Sequence, residues 1–279
     1  MEEFKYPAGN QPALIEYRNV VLMRKDRLAL NNLSLSIKLG EHVAILGPNG
    51  SGKSTLIKTI TRELYPLAGV PNSYLRILGR DRWDIFELRG FLGIVDANLI
   101  EAVNYYMEVG VRSVTVQEFI LAGFFSSVGL WPNMEITPDM EEKMRQAMEL
   151  LEIQHLLKRN LAEISTGEQR RTLIARALVH DPKALLLDEP SSSLDMRAAS
   201  ELRKTLRKIA AGGVSIIMVT HDLTDIIPEI ERVILLKEGR IFKDGTKEEV
   251  LTSETISGLF GASFEVIRRD GYYYLWVIS

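Results

Sequence analysis

The chain has 279 residues, 46 % hydrophobic and 25 % charged, which supplies an ordinary globular core for one large domain or a core with an inserted lobe. Lys plus Arg number 34 against 37 Asp plus Glu, a net charge of −3, so no broad electrostatic pull toward nucleic acid is built in. The absence of cysteine excludes disulfides, thiolate metal sites and thiol nucleophiles, in keeping with a reducing compartment.

The amino-terminal Met1-Glu2-Glu3-Phe4-Lys5 is acidic and lacks the apolar core of a signal peptide. No apolar stretch approaches the ~20 residues that cross a bilayer. The nearest, Phe119-Ile120-Leu121-Ala122-Gly123-Phe124-Phe125, is cut at once by Ser126-Ser127. The expectation is a soluble chain that meets a membrane only through a partner. Residues 13–46 alternate apolar and polar in short runs, with turns at Lys25-Asp26 and Leu39-Gly40, and read as antiparallel strands. Their last piece, His42-Val43-Ala44-Ile45-Leu46, has the short apolar run of a buried strand.

That strand enters Gly47-Pro48-Asn49-Gly50-Ser51-Gly52-Lys53-Ser54-Thr55, a complete G-x-x-x-x-G-K-[ST] phosphate-binding loop. Gly47, Gly50 and Gly52 let the backbone curl with its N–H groups inward, where a β-carbon would obstruct the turn or the phosphates. A helix starting near Lys53 adds the positive end of its dipole. Lys53 supplies a mobile charge for the β/γ-phosphates and Ser54 a hydroxyl for Mg²⁺. Leu56, Ile57 and Ile60 then share one helical face. Strand, loop and helix fall in the order a nucleoside triphosphate site requires.

Tyr65-Pro66 stops the helical pattern, and strand-like pieces follow at Tyr74–Leu78 and Phe91–Val95. From about residue 98 the texture becomes helical. Thr137-Pro138 forms a cap and first position, and Met140, Met144, Ala147, Met148 and Leu151 recur at helical spacing, the methionines as flexible core packing. Residues 98–164 are expected to form a helical insertion in an α/β core of residues 13–97 and 165–250. Strands resume at Ala184–Leu187, Val214–Val219 and Val233–Leu236, each after a helical segment, as in a parallel sheet covered by helices. Asp270-Gly271 between Phe264–Ile267 and Tyr272–Val277 predicts a hairpin within a 251–279 extension.

Leu185-Leu186-Leu187-Asp188-Glu189 is an apolar strand ending in two acids, delivered to the crevice where parallel sheets bind ligands. Asp188 is placed to hold Mg²⁺ and Glu189 to polarise the attacking water as general base.

At this point the chain resembles the ATPase subunits of ABC (ATP-binding cassette) proteins, over residues 15–250. Ser165-Thr166-Gly167-Glu168-Gln169 is similar to the family signature L-S-G-G-Q, with Ile164 for leucine and Thr166 for the first glycine. Ser165-x-x-Glu168 is also a capping box, and a capped helix start is itself an anion site. Arg170 to Leu178 continues the match. Ser191-Ser192-Ser193-Leu194-Asp195 resembles the D-loop, and His221 sits where the family carries its switch histidine. The resemblance implies an α/β P-loop NTPase (RecA-like) fold with a mostly parallel sheet, an N-terminal antiparallel β subdomain and an inserted helical subdomain. It also implies ATP hydrolysis with Mg²⁺ in a head-to-tail pair of subunits, a homodimer foremost. The signature of one subunit would close on the nucleotide of the other, with Glu189 and His221 acting on the attacking water. A transmembrane permease would hold the pair on the inner face of the membrane, and no direct nucleic-acid contact is implied.

Two positions depart from the family pattern. Arg24 stands where an aromatic often stacks on adenine; it either stacks through its guanidinium plane or is an exposed arginine beside a turn. Ala97 takes the place of the Q-loop glutamine after Gly93-Ile94-Val95, leaving Asp96 or Asn98 to reach the metal. This gap, with Thr115–Glu118 and Gly123–Leu130, is similar to molybdate-transport-like ABC ATPases. Phe119, Phe124, Phe125, Leu130 and Trp131 read either as a permease socket or as the core of the helical lobe. The alternative function is a soluble ABC ATPase acting on ribosomes or nucleic acid. The single cassette and the absence of a long coiled coil count against it, and the missing glutamine keeps it open.

Overall fold

The computed structural model describes residues 13–96, 99–103 and 113–278. In chain order its principal elements are β1 Ala13–Arg24, β2 Arg27–Lys38, β3 Val43–Leu46, α1 Lys53–Ile60, β4 Tyr74–Ile77, α2 Ile85–Phe91 and β5 Leu92–Val95. Next come α3 Val116–Leu121, α4 Pro138–Leu150, α5 Thr166–Leu178, β6 Ala184–Asp188, α6 Met196–Ala211 and β7 Ser215–Thr220. The chain ends with β8 Arg232–Lys237, β9 Arg240–Thr246, α7 Lys247–Val250, α8 Ser253–Phe260, β10 Phe264–Arg269 and β11 Tyr272–Val277. They form two compact units, Met1–Ile85 with Ser215–Ser279, and Phe86–Val214.

In the first unit β3 lies between β7 and β8 and parallel to both, with Val43 opposite Ile217 on one side and Arg232 on the other. All of β3 and all of β7 is buried, which is why both read as unbroken apolar runs. The expectation of antiparallel strands up to residue 46 holds for β1 and β2, which pair antiparallel and extend to β4. It fails for β3, whose backbone bonds go to strands far along the chain. Also unforeseen is β9, antiparallel to β8 through a tight turn at Glu238-Gly239 with φ of 52° and 72°. The Tyr17 hydroxyl on β1 bonds Thr59 Oγ1 at 2.7 Å and donates to the Leu56 carbonyl at 3.1 Å, fixing α1 beneath the sheet. Burial pushes the Tyr17 phenol far up, so it stays neutral.

The tail begins with α8 and then forms the expected hairpin, turned by Asp270 and Gly271 at φ 52° and 80°. The Phe264 and Val266 amides donate to Ser257 Oγ and Ser253 Oγ of α8, both at 2.9 Å. Gly271 rests on Pro228, where an added β-carbon would lie 3.2 Å from the ring. Lys247 donates to the Pro228 carbonyl at 2.5 Å.

In the second unit β5 and β6 pair in parallel, with Leu92 opposite Ala184. α5 packs on β5, α3 and α4. Thr137 caps α4 by accepting from the Met140 amide at 3.3 Å, and Met144, Ala147 and Met148 are buried along one stripe, as their spacing predicts. Phe119 is fully buried, while Phe124, Phe125 and Leu130 are half-buried and Trp131 is exposed. The aromatic cluster is thus divided between core and surface.

Candidate nucleotide-binding site

The loop from Gly47 to Gly52 joins β3 to α1 and is shaped by close approaches. A β-carbon on Gly47 would lie 2.3 Å from the Leu236 carbonyl oxygen and 2.6 Å from Ser51 Oγ, so nothing larger fits. Gly52 has φ 109°, and a side chain there would strike the Ala29 carbonyl at 2.6 Å. The loop is pinned from outside by the β8–β9 turn: the Gly239 amide donates to the Ser51 carbonyl, and the Asn31 amide to the Gly239 carbonyl, both at 2.9 Å. This clamp escaped the sequence reading; Glu238-Gly239 after the apolar run Val233–Leu236 was the available signal.

Lys53 is buried, and its ammonium donates to the carbonyls of Gly47 at 2.7 Å and Pro48 at 3.2 Å. Ser51 is 2 % exposed and its hydroxyl has no hydrogen-bond partner, an orphaned polar atom inside the curl. Asn49, Gly50 and Ser54 are exposed and Thr55 is buried. α1 starts at Gly52 without a side-chain cap, leaving its first amides to the loop's concavity. Arg24 is exposed at the tip of the β1–β2 hairpin, opposite Arg27. His221 is exposed just past β7, beside a turn in which Thr220 Oγ1 bonds Asp225 Oδ2 at 2.7 Å and receives the Asp222 amide at 3.0 Å.

In the second unit Asp188 ends β6 half-buried, and Glu189 follows with φ 44°, a left-handed conformation costly for a residue with a β-carbon. Such strain marks an acid held in place by the buried Pro190 and by the turn in which the Ser192 amide donates to the Glu189 carbonyl at 3.1 Å. The capping box forms as written: the Ser165 amide and hydroxyl both donate to Glu168 Oε2 at 2.8 Å. Burial works to raise the Glu168 carboxyl, but the Ser165 bonds, with Arg171 and His155 nearby, outweigh it and hold the group below its usual range. Ser165 and Thr166 are exposed, Gly167 is buried against Ala198, and Gln169 Nε2 donates to the Leu161 carbonyl at 3.0 Å. Asp195 caps α6 by accepting from the Ala198 amide at 2.8 Å. Asp96 is exposed; Ala97 and Asn98 lie outside the described residues.

The sequence reading gave Arg176 no role. Its guanidinium, half-buried on α5, donates to the carbonyls of Phe119, Ala122 at 3.5 Å and Ser127 at 2.5 Å, and lies 4.7 Å over the Phe119 ring. Burial pushes its pKa down to about 10, which leaves it charged at neutral pH.

The sequence profile of the family described as ABC transporter matches residues 30–192. A putative ABC transporter ATP-binding protein of Streptococcus mutans is 31 % identical over 260 residues, 92 % of this chain and 96 % of that one. The hemin import ATP-binding protein HmuV of Escherichia coli O157:H7 is 32 % identical, covering 91 % of this chain and 95 % of its own. Among solved structures, CbiO1 of Clostridium perfringens, part of the ABC transporter complex CbiONQ, superposes with a TM-score of 0.71 at 28 % identity, over 88 % of this chain and 93 % of that one. The dimeric cassette MJ0796, in a post-hydrolysis state with ADP and phosphate, gives 0.64 at 25 % identity, over 83 % and 98 %.

The chain belongs to the ABC transporter family, as an ATP-binding subunit with the α/β P-loop cassette fold. It hydrolyses ATP to power transport.

Proposed function

We propose that ATP lies with its phosphates in the 47–55 loop. The backbone amides beyond Pro48, the Ser51 hydroxyl, the Lys53 ammonium and Thr55 hold them, and Arg24 stacks on the base. The observation that carries this is the cradle itself: no β-carbon fits at Gly47, and the buried Ser51 hydroxyl beside it has no hydrogen-bond partner. Ser54 and Asp188 offer a hydroxyl and a carboxylate, hard oxygen donors suited to Mg²⁺, which when bound offsets phosphate charge. Among the described residues no cluster of three His, Asp or Glu could hold a metal alone, so the phosphates complete such a site. Glu189 accepts the proton of the attacking water, and His221 donates to the γ-phosphate.

The start of α5 at Ser165, Thr166, Gly167, Glu168 and Gln169, exposed at Ser165 and Thr166, serves the nucleotide of a second subunit, with Asp195 close to the shared boundary. Dimers of the related cassette MJ0796 support a pair, here a homodimer. Among the described residues no helix is long and apolar enough to cross a membrane. The pair therefore works through a permease, peripherally on the cytoplasmic face, with the half-buried Phe124 to Leu130 segment and exposed Trp131 as its socket. Relatives named for hemin and for spermidine/putrescine import favour inward transport, and their differing cargoes leave cargo choice to the permease.

The test is affinity capture of the tagged chain from detergent-solubilised membranes, read by mass spectrometry. Recovery of a polytopic permease is the expected result. Recovery of ribosomes or only soluble partners would overturn the assignment.

A further inference from the structure

The β10–β11 ribbon leaves one face uncovered. Directly opposed residues share a face, so Glu265 with Trp276, Ile267 with Tyr274, and Arg269 with Tyr272 form three successive rows. The reverse face carries Tyr273, which is 3 % exposed, whereas Ile267, Tyr274 and Trp276 are 41, 43 and 66 % exposed. Three such side chains in one patch are a large apolar surface to leave in water.

The charges bordering the patch select its occupant. Glu265 and Arg269 sit two residues either side of Ile267, opposite in sign and on the same face. Consider two copies facing each other, related by a two-fold axis that runs across the strands through the Ile267–Tyr274 row. Ile267 then meets Ile267, Tyr274 meets Tyr274, Trp276 meets Tyr272, and each Glu265 stands over the Arg269 of the other copy. Packed sheets lie about 10 Å apart, a gap that Glu and Arg side chains span together. An axis running along the strands would instead put Glu265 on Trp276 and lose both ion pairs. Arg269 has one local ion pair, with Asp270 at 3.8 Å, at a fully solvated turn where it contributes little. The face is its own complement, the requirement for an isologous contact.

We propose that this ribbon face docks on the same face of a second copy of the chain, in a contact that needs no nucleotide. The experiment is sedimentation analysis of the full chain without nucleotide and with EDTA, at concentrations up to about 100 μM. The wild-type chain is expected to reach twice the monomer mass. Glu265→Arg, Arg269→Glu and Trp276→Glu each return it to monomer, and the double swap Glu265→Arg/Arg269→Glu restores the dimer. A wild-type monomer throughout, or a double swap that stays monomeric while still binding ATP, would overturn the proposal. So would pelleting of the wild-type monomer with anionic phospholipid vesicles, abolished by Trp276→Glu, since the face would then belong to a bilayer. Because nucleotide is absent, failure here leaves the ATP-dependent pairing untouched, and the reverse also holds.

Discussion

At the scale of single residues, the phosphate loop is defined by what cannot be added to it. Gly47→Ala puts a methyl group 2.3 Å from a carbonyl and 2.6 Å from the Ser51 hydroxyl, so the curl must open. ATP affinity is expected to fall by about tenfold or more, roughly 1.4 kcal/mol; fluorescence titration with a labelled ATP analogue measures it. Lys53→Ala removes the only motif charge aimed at the β/γ-phosphates, and hydrolysis is expected to vanish in a phosphate-release assay. Unchanged turnover would refute the loop assignment. Both residues were legible in the sequence because the motif encodes local geometry. The Gly239 clamp was not, since it is a backbone contact made across nearly 190 positions of chain.

Elements in the second unit depend on charges with local tasks. Arg176 donates to the carbonyls of Phe119, Ala122 and Ser127, the second of which the Ser127 amide also reaches, and replacement by Met removes all of these guanidinium contacts at once. A loss of about 3 kcal/mol is expected, read from the midpoint of a urea titration. Its place in the sequence showed only a helix-forming stretch: a cation bonded to main-chain carbonyls leaves no complementary acid to notice. Glu168 yields a pH prediction. Its folded-state pKa lies below the usual carboxylate value of about 4.3, so its stabilising contribution is complete above that value and is lost as pH falls through the depressed one. Glu168→Gln should therefore flatten the acid limb of the stability profile; an acid limb identical to wild type would contradict the capping role. That box was visible as Ser165-x-x-Glu168, since capping depends on residues three apart.

For the whole molecule, strand order decided what the sequence could reveal. Alternating strands and helices announced a parallel core, but whether β3 paired with its neighbours in sequence or with β7 and β8 depended on long-range partners that periodicity does not carry. β9 was hidden because its burial alternates without a strong apolar run. The catalytic prediction belongs at this scale too. Glu189→Gln keeps the size and shape of the acid but cannot take a proton, so it should stall after ATP-driven closure. When it is combined with Trp276→Glu, so that the chain without nucleotide is monomeric, a doubled mass by size exclusion under saturating Mg-ATP is expected, and persistent monomer would count against the shared site.

The grip on Pro228 has a consequence for how the tail and the histidine segment behave together. Lys247 from one side and Gly271 from the other hold the stretch that begins just after His221. A strain applied to the terminal ribbon is therefore transmitted to the backbone downstream of that imidazole rather than dissipated in solvent. Fusing a bulky tag behind the ribbon would tug on the same lever, and its influence should surface in turnover sooner than in folding.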